Sequence, residues 1–398
     1  MSEASASDGV LGRLFGGWAS FAGIFIVTNL GLLAVGATLP VLPRFVSEEL
    51  NGSDLEVGIV SGAFALTGLI CRPIAGAAAD RRGRKATVVA GAVLATVAGA
   101  LLFLPASIPG LIVSRLFLGA GEGTVFTAGS AWNVDMAPPE HRGRMIGLYG
   151  LAIWTGLTLG PPVGEGLLRL GGYELVWAFA AGAPALGALI ASQLPESVAP
   201  GGAGARGPII SREAIGPGVT FSLSVVGFAA VSAFIVLSLD DRGIGHGATV
   251  FSVFAATVVA TRLVGGGLPD RIGAARCALG AAGVETVGLV LLGSAQTLWV
   301  AILGAIAMGA AFSLLFPALS LLAVNRVAPE RRGAAMGTFT AAFDLGMLAG
   351  SPAVGAAAAL GGYSAAFYLA AASALACAAL SYGFVSESAE PVPERASA

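Results

Sequence analysis

The chain alternates between long uncharged stretches and short segments that carry most of its charge. Residues 14–43, 286–325 and 345–386 contain no Asp, Glu, Lys or Arg. A helix needs about 20 apolar residues to cross a bilayer, so the first stretch predicts one span. Each of the other two would be roughly 60 Å long as a single helix, about twice the hydrocarbon thickness. We therefore predict two spans in each, with breaks near 294–297 and 361–364.

Applied to the whole chain, this pattern predicts an all-α integral membrane protein with twelve transmembrane helices. The spans are placed at about 17–40, 55–78, 86–106, 109–133, 145–168, 173–194, 216–239, 248–268, 275–294, 297–323, 334–358 and 362–385. They group into a six-helix bundle at 1–194, a cytoplasmic linker at 195–215 and a second six-helix bundle at 216–386. The polar tail at 387–398 has the composition of a disordered segment.

An internal repeat with a constant offset of 190 residues supports the division into two bundles. Four residues near the end of the second span recur in the eighth: Arg72, Gly76, Asp80 and Gly83 return as Arg262, Gly266, Asp270 and Gly273. The offset persists from Pro139 to Pro329, and from 171–173 to 361–363, both of which read Gly-Gly-Tyr. Paired, related membrane bundles are typical of secondary transporters, so the repeat predicts two pseudo-symmetric halves.

Composition excludes several functions. The chain is 56% hydrophobic and 11% charged, whereas soluble domains carry about 25% charged residues. It has no polybasic run that would indicate nucleic-acid binding. The glycine-rich segment 119–123 lies inside an apolar span and lacks the Lys and Ser/Thr of a phosphate-binding loop. We predict no enzyme activity, no cofactor and no metal, so transport would draw on an ion gradient or on the substrate's own gradient.

The distribution of basic residues predicts the orientation. One set of loops carries Arg81, Arg82, Arg84, Lys85, Arg142, Arg144, Arg206, Arg212, Arg271, Arg276, Arg326, Arg331 and Arg332. The other set carries only Arg44, Arg169 and Arg242. Basic loops stay on the cytoplasmic side, so we expect a multi-pass plasma-membrane protein with both termini in the cytoplasm.

Three motifs resemble those of a known family. The loop after span 2 reads Gly76-x-x-x-Asp80-Arg81-x-Gly83-Arg84-Lys85, which resembles the signature loop of the major facilitator superfamily. Span 4 contains Arg115-x-x-x-Gly119-x-Gly121, and span 5 contains Gly156-x-x-x-Gly160-Pro161-x-x-Gly164. Both are similar to motifs of the drug:proton antiporter branch. The sequence Ala-Gly-Glu-Gly at 120–123 resembles a segment of exporters grouped with the sugar-efflux permeases. The chain departs from the span-5 motif at Glu165, where a second Gly is usual.

The resemblance covers the whole chain and implies a monomer that moves a small molecule by alternating access. It implies a conformational latch formed by Gly76, Asp80, Arg81, Gly83, Arg84 and Asp135, with Asp270 and Arg271 in the second copy. In this family the aspartate of the loop interacts with the start of span 11, here near Gly333. The alternative is that these charges only mark topology. The span-5 glycines and Pro161 would pack against the opposite half and soften the helix, or form a kink without function.

Ionisable residues at membrane depth are candidates for coupling, because burying them is costly. Glu122 and Arg115 lie on one face of span 4, roughly 10 Å apart along its axis. We interpret Glu122 as the proton-titrating group, with Arg115 as its modulator or as an anchor for an acidic substrate group. A structural pair between the two is the alternative. Arg72 and Arg262 are expected to snorkel to the inner surface.

Three further residues are candidates for the central cavity. Asp344 lies near the middle of span 11. It would bind substrate or a proton, or be a buried acid that is only hydrogen-bonded. Trp154, its counterpart in the repeat, would form an aromatic wall or simply pack, and Asn29 would offer a hydrogen bond. Glu285 in span 9 is explained only by a hydrogen bond between helices.

The most probable activity on these grounds is proton-coupled export of a small amphipathic molecule or drug. The alternative is a proton symporter or uniporter of a small nutrient such as a sugar, which would move protons in the other direction. A transport-inactive membrane sensor is a remote alternative, because the linker of about 20 residues leaves no room for a sensory domain.

Overall fold

The computed structural model describes residues 10–104, 107–136, 142–197, 210–328 and 331–389. All regular secondary structure within these ranges is helical. The α-helices are α1 (Val10–Thr38), α2 (Val41–Arg44), α3 (Asp54–Gly62), α4 (Phe64–Arg82), α5 (Arg84–Leu101), α6 (Ile108–Met136), α7 (Arg142–Gln193), α8 (Ile215–Asp241), α9 (Gly247–Gly265), α10 (Leu268–Ile272), α11 (Ala274–Ser294), α12 (Leu298–Asn325) and α13 (Arg332–Ala389). A π-helical turn at Phe45–Glu49 follows α2, and a 3-10 turn at Arg212–Ala214 precedes α8.

Ten stretches of the described residues are long and apolar enough to cross a bilayer. Two of them, 45 and 53 residues long, lie in α7 and α13. Each contains a glycine pair with non-helical backbone, Gly171–Gly172 in α7 and Gly361–Gly362 in α13. We call the segments before and after each pair the first and second arm of the helix. The all-α membrane fold is confirmed, and the ten stretches with two internal breaks are consistent with twelve spans.

The repeat extends from the sequence to the backbone. Gly83 and Gly273, which connect helices at equivalent points of the two copies, have φ angles of 98° and 91°. Gly172 and Gly362 have φ angles of 67° and 73°. Only glycine adopts such angles readily. The same reversals of the chain are therefore specified twice, 190 residues apart.

Helices α1–α7 pack mainly against one another, and so do α8–α13. These two sets, the N-terminal half and the C-terminal half, meet where α13 lies along α3 and α4 and where α7 lies along α9. Small residues permit the approach: a Cβ atom built on Gly58 of α3 would lie 3.0 Å from the Cα of Gly355 in α13. Membrane helices associate largely through such close packing of small residues.

The two ends of the bundle differ in charge. The basic face is the end where α4 meets α5 and carries Arg81, Arg82 and Lys85. The opposite face is the end where α1 terminates and α3 begins, and it carries Arg44. The arms of α7 join at the opposite face, as do those of α13.

Several boundaries differ from the prediction. The span expected at 248–268 divides into α9 and α10 at Gly266 and Gly267, which end one helix and precede the next. The tail was expected to be disordered from 387, but α13 continues to Ala389. Residues 390–398, the linker segment 198–209 and the repeat segment 137–141 lie outside the described residues.

Candidate functional site

An ion pair joins the two halves at membrane depth. Arg72 of α4 donates through Nε to Asp344 Oδ2 at 2.7 Å and through Nη2 to Asp344 Oδ1 at 3.2 Å. The side chain of Asp344 is 0% exposed. Gly68, one turn before Arg72, leaves room for the carboxylate, since a Cβ atom there would lie 3.2 Å from Asp344 Oδ1. The expectation that Arg72 snorkels to the surface is wrong, because a buried acid of the other half binds it.

Glu122 lies in the interior of the N-terminal half without a hydrogen-bond partner. Both carboxylate oxygens are buried and form no hydrogen bond. Gly31 of α1 faces the carboxylate so closely that a Cβ atom there would lie 2.5 Å from Oε1. The stem of Arg72 packs on α6 at Gly123, next to Glu122, and Tyr149 stacks on Phe126, one turn further along α6. A buried carboxyl without a partner is stable only if it is protonated or neutralised by a nearby cation.

Arg115 does not pair with Glu122. Arg115 is 6% exposed, and its Nε has no hydrogen-bond partner. It lines a small cavity between α1, α5 and the second arm of α7, with Ala34, Thr38 and Ala98 among its neighbours. The structural pair considered from the sequence is therefore not formed, and the two charged residues of α6 face different surroundings.

Trp154 lies at the boundary between the halves. Its ring packs edge-on against Phe228, Phe254 and Phe312 of the C-terminal half, with centroid distances of 6.2, 6.1 and 5.8 Å. The residue is 7% exposed. Phe228 in turn contacts Phe343, the residue before Asp344, at 5.9 Å. The aromatic cluster thus runs from Trp154 to the immediate neighbour of the cross-half ion pair.

The span-5 motif and Asn29 act together in a contact within the N-terminal half. A Cβ atom built on Gly36 of α1 would lie 2.9 Å from Gly156 O and 3.0 Å from Gly160 Cα, both in the first arm of α7. Asn29 Nδ2 donates to Ala152 O at 3.0 Å and to Thr155 Oγ1 at 2.8 Å, both in α7. The expectation that these glycines pack against the opposite half is wrong, because their partner is α1. Gly164 likewise faces Ala37 of α1, and Pro161 lies between these contacts in the same arm.

The signature loop forms an ion network at the basic face. Arg84 binds Asp80 at 2.5 Å and Asp135 at 2.9 Å. Glu196 accepts from the backbone N–H groups of Arg84 and Lys85 at 3.0 and 3.1 Å, which caps the start of α5. In the second copy, Asp270 and Arg271 are exposed. There the positions of Arg84 and Asp135 are occupied by Ala274 and Asn325, so the network cannot form twice.

A second contact between the halves lies at the opposite face. Arg44 binds Glu165 of its own half at 2.8 Å and Asp240 of the C-terminal half at 2.6 Å. Glu165 also binds Arg169 at 3.2 Å. Among the described residues, the side-chain hydrogen bonds between the halves are those of Arg44 with Asp240 and of Arg72 with Asp344. They lie at the opposite face or at membrane depth, and none lies at the basic face.

Glu285 is buried within the C-terminal half, away from these contacts. Its Oε1 accepts from Ser224 Oγ of α8 at 3.0 Å, and Oε2 has no partner. The hydrogen bond between helices expected for Glu285 is present. It supplies a second buried carboxyl against which Glu122 can be compared.

Sequence reasoning missed three participants: Arg72 as a cross-half partner, Glu196 as a helix cap and the Arg44–Asp240 pair. Arg72 carried a usable signal, since an arginine ten residues before the end of α4 lies too deep to be a loop charge. Glu196 and Asp240 carried no such signal, because acids at the ends of spans are ordinary.

Comparison with known proteins gives consistent results. The family model described as Major Facilitator Superfamily matches residues 24–247 and 218–398. An uncharacterized MFS-type transporter of Salmonella typhimurium is 32% identical over 361 residues, covering 88% of this chain and 92% of that protein. YhhS of Escherichia coli, also described as an uncharacterized MFS-type transporter, is 32% identical over 378 residues and covers 92% of both chains. The solved structure of a variant of the nucleoside transporter NupG superposes with a TM-score of 0.78 at 14% identity, covering 92% of this chain and 99% of that one.

Proposed function

Because the chain belongs to the major facilitator superfamily, and is therefore a multi-pass membrane transporter of a small molecule rather than an enzyme, we propose that it exports an amphipathic compound in exchange for protons. The two halves would rock about the region of Trp154, Arg72 and Asp344. Transporters with paired bundles bind substrate near the midplane, between their halves.

The observation that carries the proposal is the environment of Glu122. Its carboxylate oxygens are buried and have no hydrogen-bond partner, and the next residue, Gly123, packs against the stem of Arg72, which binds Asp344. Removing a proton from such a group creates a buried charge, which changes the balance of the cross-half contact beside it. This environment supports the proposal that Glu122 couples a proton to the relative position of the halves.

The charges at the two ends support an orientation in the membrane. The basic face carries most of the arginines and is assigned to the cytoplasm by the positive-inside rule. Both termini are then cytoplasmic, and the membrane is the plasma membrane. The opposite face, where Arg44 binds Asp240, is then external. The Arg44–Asp240 contact would favour closure of the external side in this state.

The remaining assignments complete the mechanism. Residues 1–194 and 216–386 form the moving bundles, joined by the cytoplasmic linker 195–215, and the protein acts as a monomer. The signature loop acts as a latch on the cytoplasmic side, using Gly76, Asp80, Arg81, Gly83, Arg84 and Asp135 with Asp270 and Arg271. In the present state Asp80 binds Arg84. The α1–α7 contact through Gly156, Gly160, Pro161 and Gly164 keeps the N-terminal half rigid while it rocks.

Inside-out vesicles with an acidic interior test this proposal. A fluorescent pH dye reports proton release as lipophilic cations, neutral antibiotics, sugars or small acids are added. We expect one class to dissipate the gradient in the wild type and in Glu285→Gln, but not in Glu122→Gln. Glu285→Gln is the matched control, because it also removes a buried carboxyl from a span.

The outcomes separate the alternatives. Dissipation in Glu122→Gln equal to that of the wild type would contradict the role of Glu122 and move the proton site to Asp344. Proton movement in the opposite direction would indicate symport of a nutrient such as a sugar. Melting temperatures of the purified variants establish that each one is folded.

A further inference from the structure

Arg72 bonds an acid of the C-terminal half and packs on the helix that carries a second buried acid, Glu122. Arg72 bonds both oxygens of Asp344, which belongs to the other half. The stem of the same side chain runs beside α6, since a Cβ atom on Gly123 would lie 3.5 Å from Arg72 Cγ. Gly123 is the neighbour of Glu122, whose oxygens have no partner. Arg72 is thus anchored between two acids and bonds only one of them.

Arg72 directs Nε and Nη2 to Asp344, and neither carboxylate oxygen of Glu122 has a hydrogen-bond partner. A buried carboxylate left without a cation is strongly destabilising. The acid that lacks Arg72 must therefore hold a proton or acquire another cation. This links the protonation of Glu122, in one half, to the availability of Asp344, in the other.

We propose that Arg72 is an exchangeable counterion and that Asp344 is the binding group for a cationic substrate. The inference rests on the proposed function and names its substrate class. While Glu122 holds a proton, Arg72 stays on Asp344 and blocks it. When Glu122 releases its proton to the cytoplasm, Arg72 turns to the new carboxylate. Asp344 is then free to bind a protonated amine or another organic cation, and a later proton on Glu122 returns Arg72 and expels the cation.

Few other charged groups face this site. Beside Glu122, the stem of Arg72 packs on α6 at Gly123, and Tyr149 of α7 stacks on Phe126, one turn after Glu122. On the side of α1, the Glu122 carboxylate faces Gly31, and α1 carries no charged residue over 14–38. Helix α5 carries no charged residue between 86 and 101. Arg115, on the same helix as Glu122, lines a different cavity. Among the described residues, Arg72 is the charged group that contacts Asp344.

The aromatic cluster fits the same substrate class. Trp154 and three phenylalanines form a wall of ring faces and edges at the boundary between the halves. Phe343 extends this wall to the residue before Asp344. Organic cations bind to aromatic faces and to carboxylates, so a flat cation with an aromatic body matches both elements.

Binding of ethidium, an aromatic cation, to the purified full-length protein tests the inference. Fluorescence anisotropy at mildly acidic and mildly alkaline pH gives the dissociation constant in each state. We expect the wild type to bind at least about tenfold more tightly at alkaline pH. Glu122→Gln should bind weakly at both pH values, because Arg72 has no second acid to which it can move. Arg72→Gln should bind tightly at both, because the internal competitor is gone, and Asp344→Asn should bind weakly at both.

Arg262→Gln is the matched control. Arg262 is the repeat counterpart of Arg72 and lies 6.0 Å from the centroid of the Phe316 ring. It should keep the pH response of the wild type. If Arg72→Gln does not fold, Arg72→Lys replaces it. Lysine keeps the charge but not the bidentate geometry, so ethidium binding at acidic pH should rise above that of the wild type.

The results that would overturn the inference are specific. If the Arg72 variant that folds keeps the pH response of the wild type, Arg72 does not exchange between Asp344 and Glu122. If Asp344→Asn binds ethidium as tightly as the wild type, or if the wild type does not bind it, Asp344 is not the cation site. Loss of antiport in Glu122→Gln together with any of these results leaves the proposed function standing and removes only the inference. Retained antiport in Glu122→Gln contradicts the role of Glu122 and removes the inference with it, whereas no proton movement with any compound in the wild type removes the proposed function itself.

Discussion

Arg44 of the N-terminal half donates to Asp240 of the C-terminal half through Nε at 3.0 Å and through Nη2 at 2.6 Å. Its Nη1 donates to Glu165 at 2.8 Å. One guanidinium therefore bridges an acid of its own half and an acid of the other. This accounts for Glu165, where the sequence departs from the span-5 motif: the carboxylate orients the arginine that holds the opposite face closed.

Asp240→Asn should weaken closure of the opposite face. The side chain of Asp240 is 37% exposed, and ion pairs of this kind contribute only about 0.5–1 kcal/mol. The ratio of closed to open molecules should therefore fall by roughly two- to fivefold. Spin labels at Glu49→Cys and Thr249→Cys, with the three native cysteines replaced by serine, would report the change as a longer distance between the halves.

Asp241→Asn is the control for this measurement. Asp241 is the neighbouring acid and is exposed, and no hydrogen bond joins it to Arg44. It should leave the distance distribution unchanged. Equal changes in both variants would mean that general charge at this face, and not the Arg44–Asp240 pair, favours closure.

Gly160→Ala should destabilise the N-terminal half. A Cβ atom there would lie 2.5 Å from Gly36 Cα, so α1 and α7 would have to separate. Overpacking of this kind costs roughly 1–3 kcal/mol. Gly166→Ala, in the same arm, meets nothing within 4 Å and serves as the matched control. Thermal unfolding in detergent should show a lower melting temperature for the first variant only. A fall of equal size in both would assign the effect to the helix backbone and not to the contact with α1.

Hydropathy and the repeat predicted the elements of the fold because both depend on composition along the chain. The uncharged stretch 286–325 had to contain two helices on length alone, and α11 and α12 separate where the break was expected. Glu122 and Asp344 were identified as buried for the same reason, since their depth in a span is a matter of counting residues.

The partners of these residues depend on how helices are rotated against one another, and a local pattern does not contain that information. Arg72 and Asp344 are 272 positions apart and meet because α13 packs closely on α3 and α4. Gly156 and Gly160 showed that α7 has a close neighbour, but not that this neighbour is α1. The 190-residue repeat did not predict which copy forms the ion network of Arg84. The residues at the equivalent positions, Ala274 and Asn325, show that the second copy lacks it.

Asp80→Asn and Asp270→Asn offer a comparison between the two copies of the signature loop. Asp80 binds Arg84, whose side chain is 13% exposed and also binds Asp135. Replacing Asp80 leaves Arg84 with one acid partner and loosens the junction of α4 and α5. Asp270 is exposed, and Ala274 stands where its arginine partner would be. We expect Asp80→Asn to lower the initial transport rate in vesicles severalfold at equal protein content, and Asp270→Asn to have a smaller effect. Equal losses would mean that the aspartates act through a feature common to both copies, such as a helix terminus, and that the network around Arg84 contributes nothing to the latch.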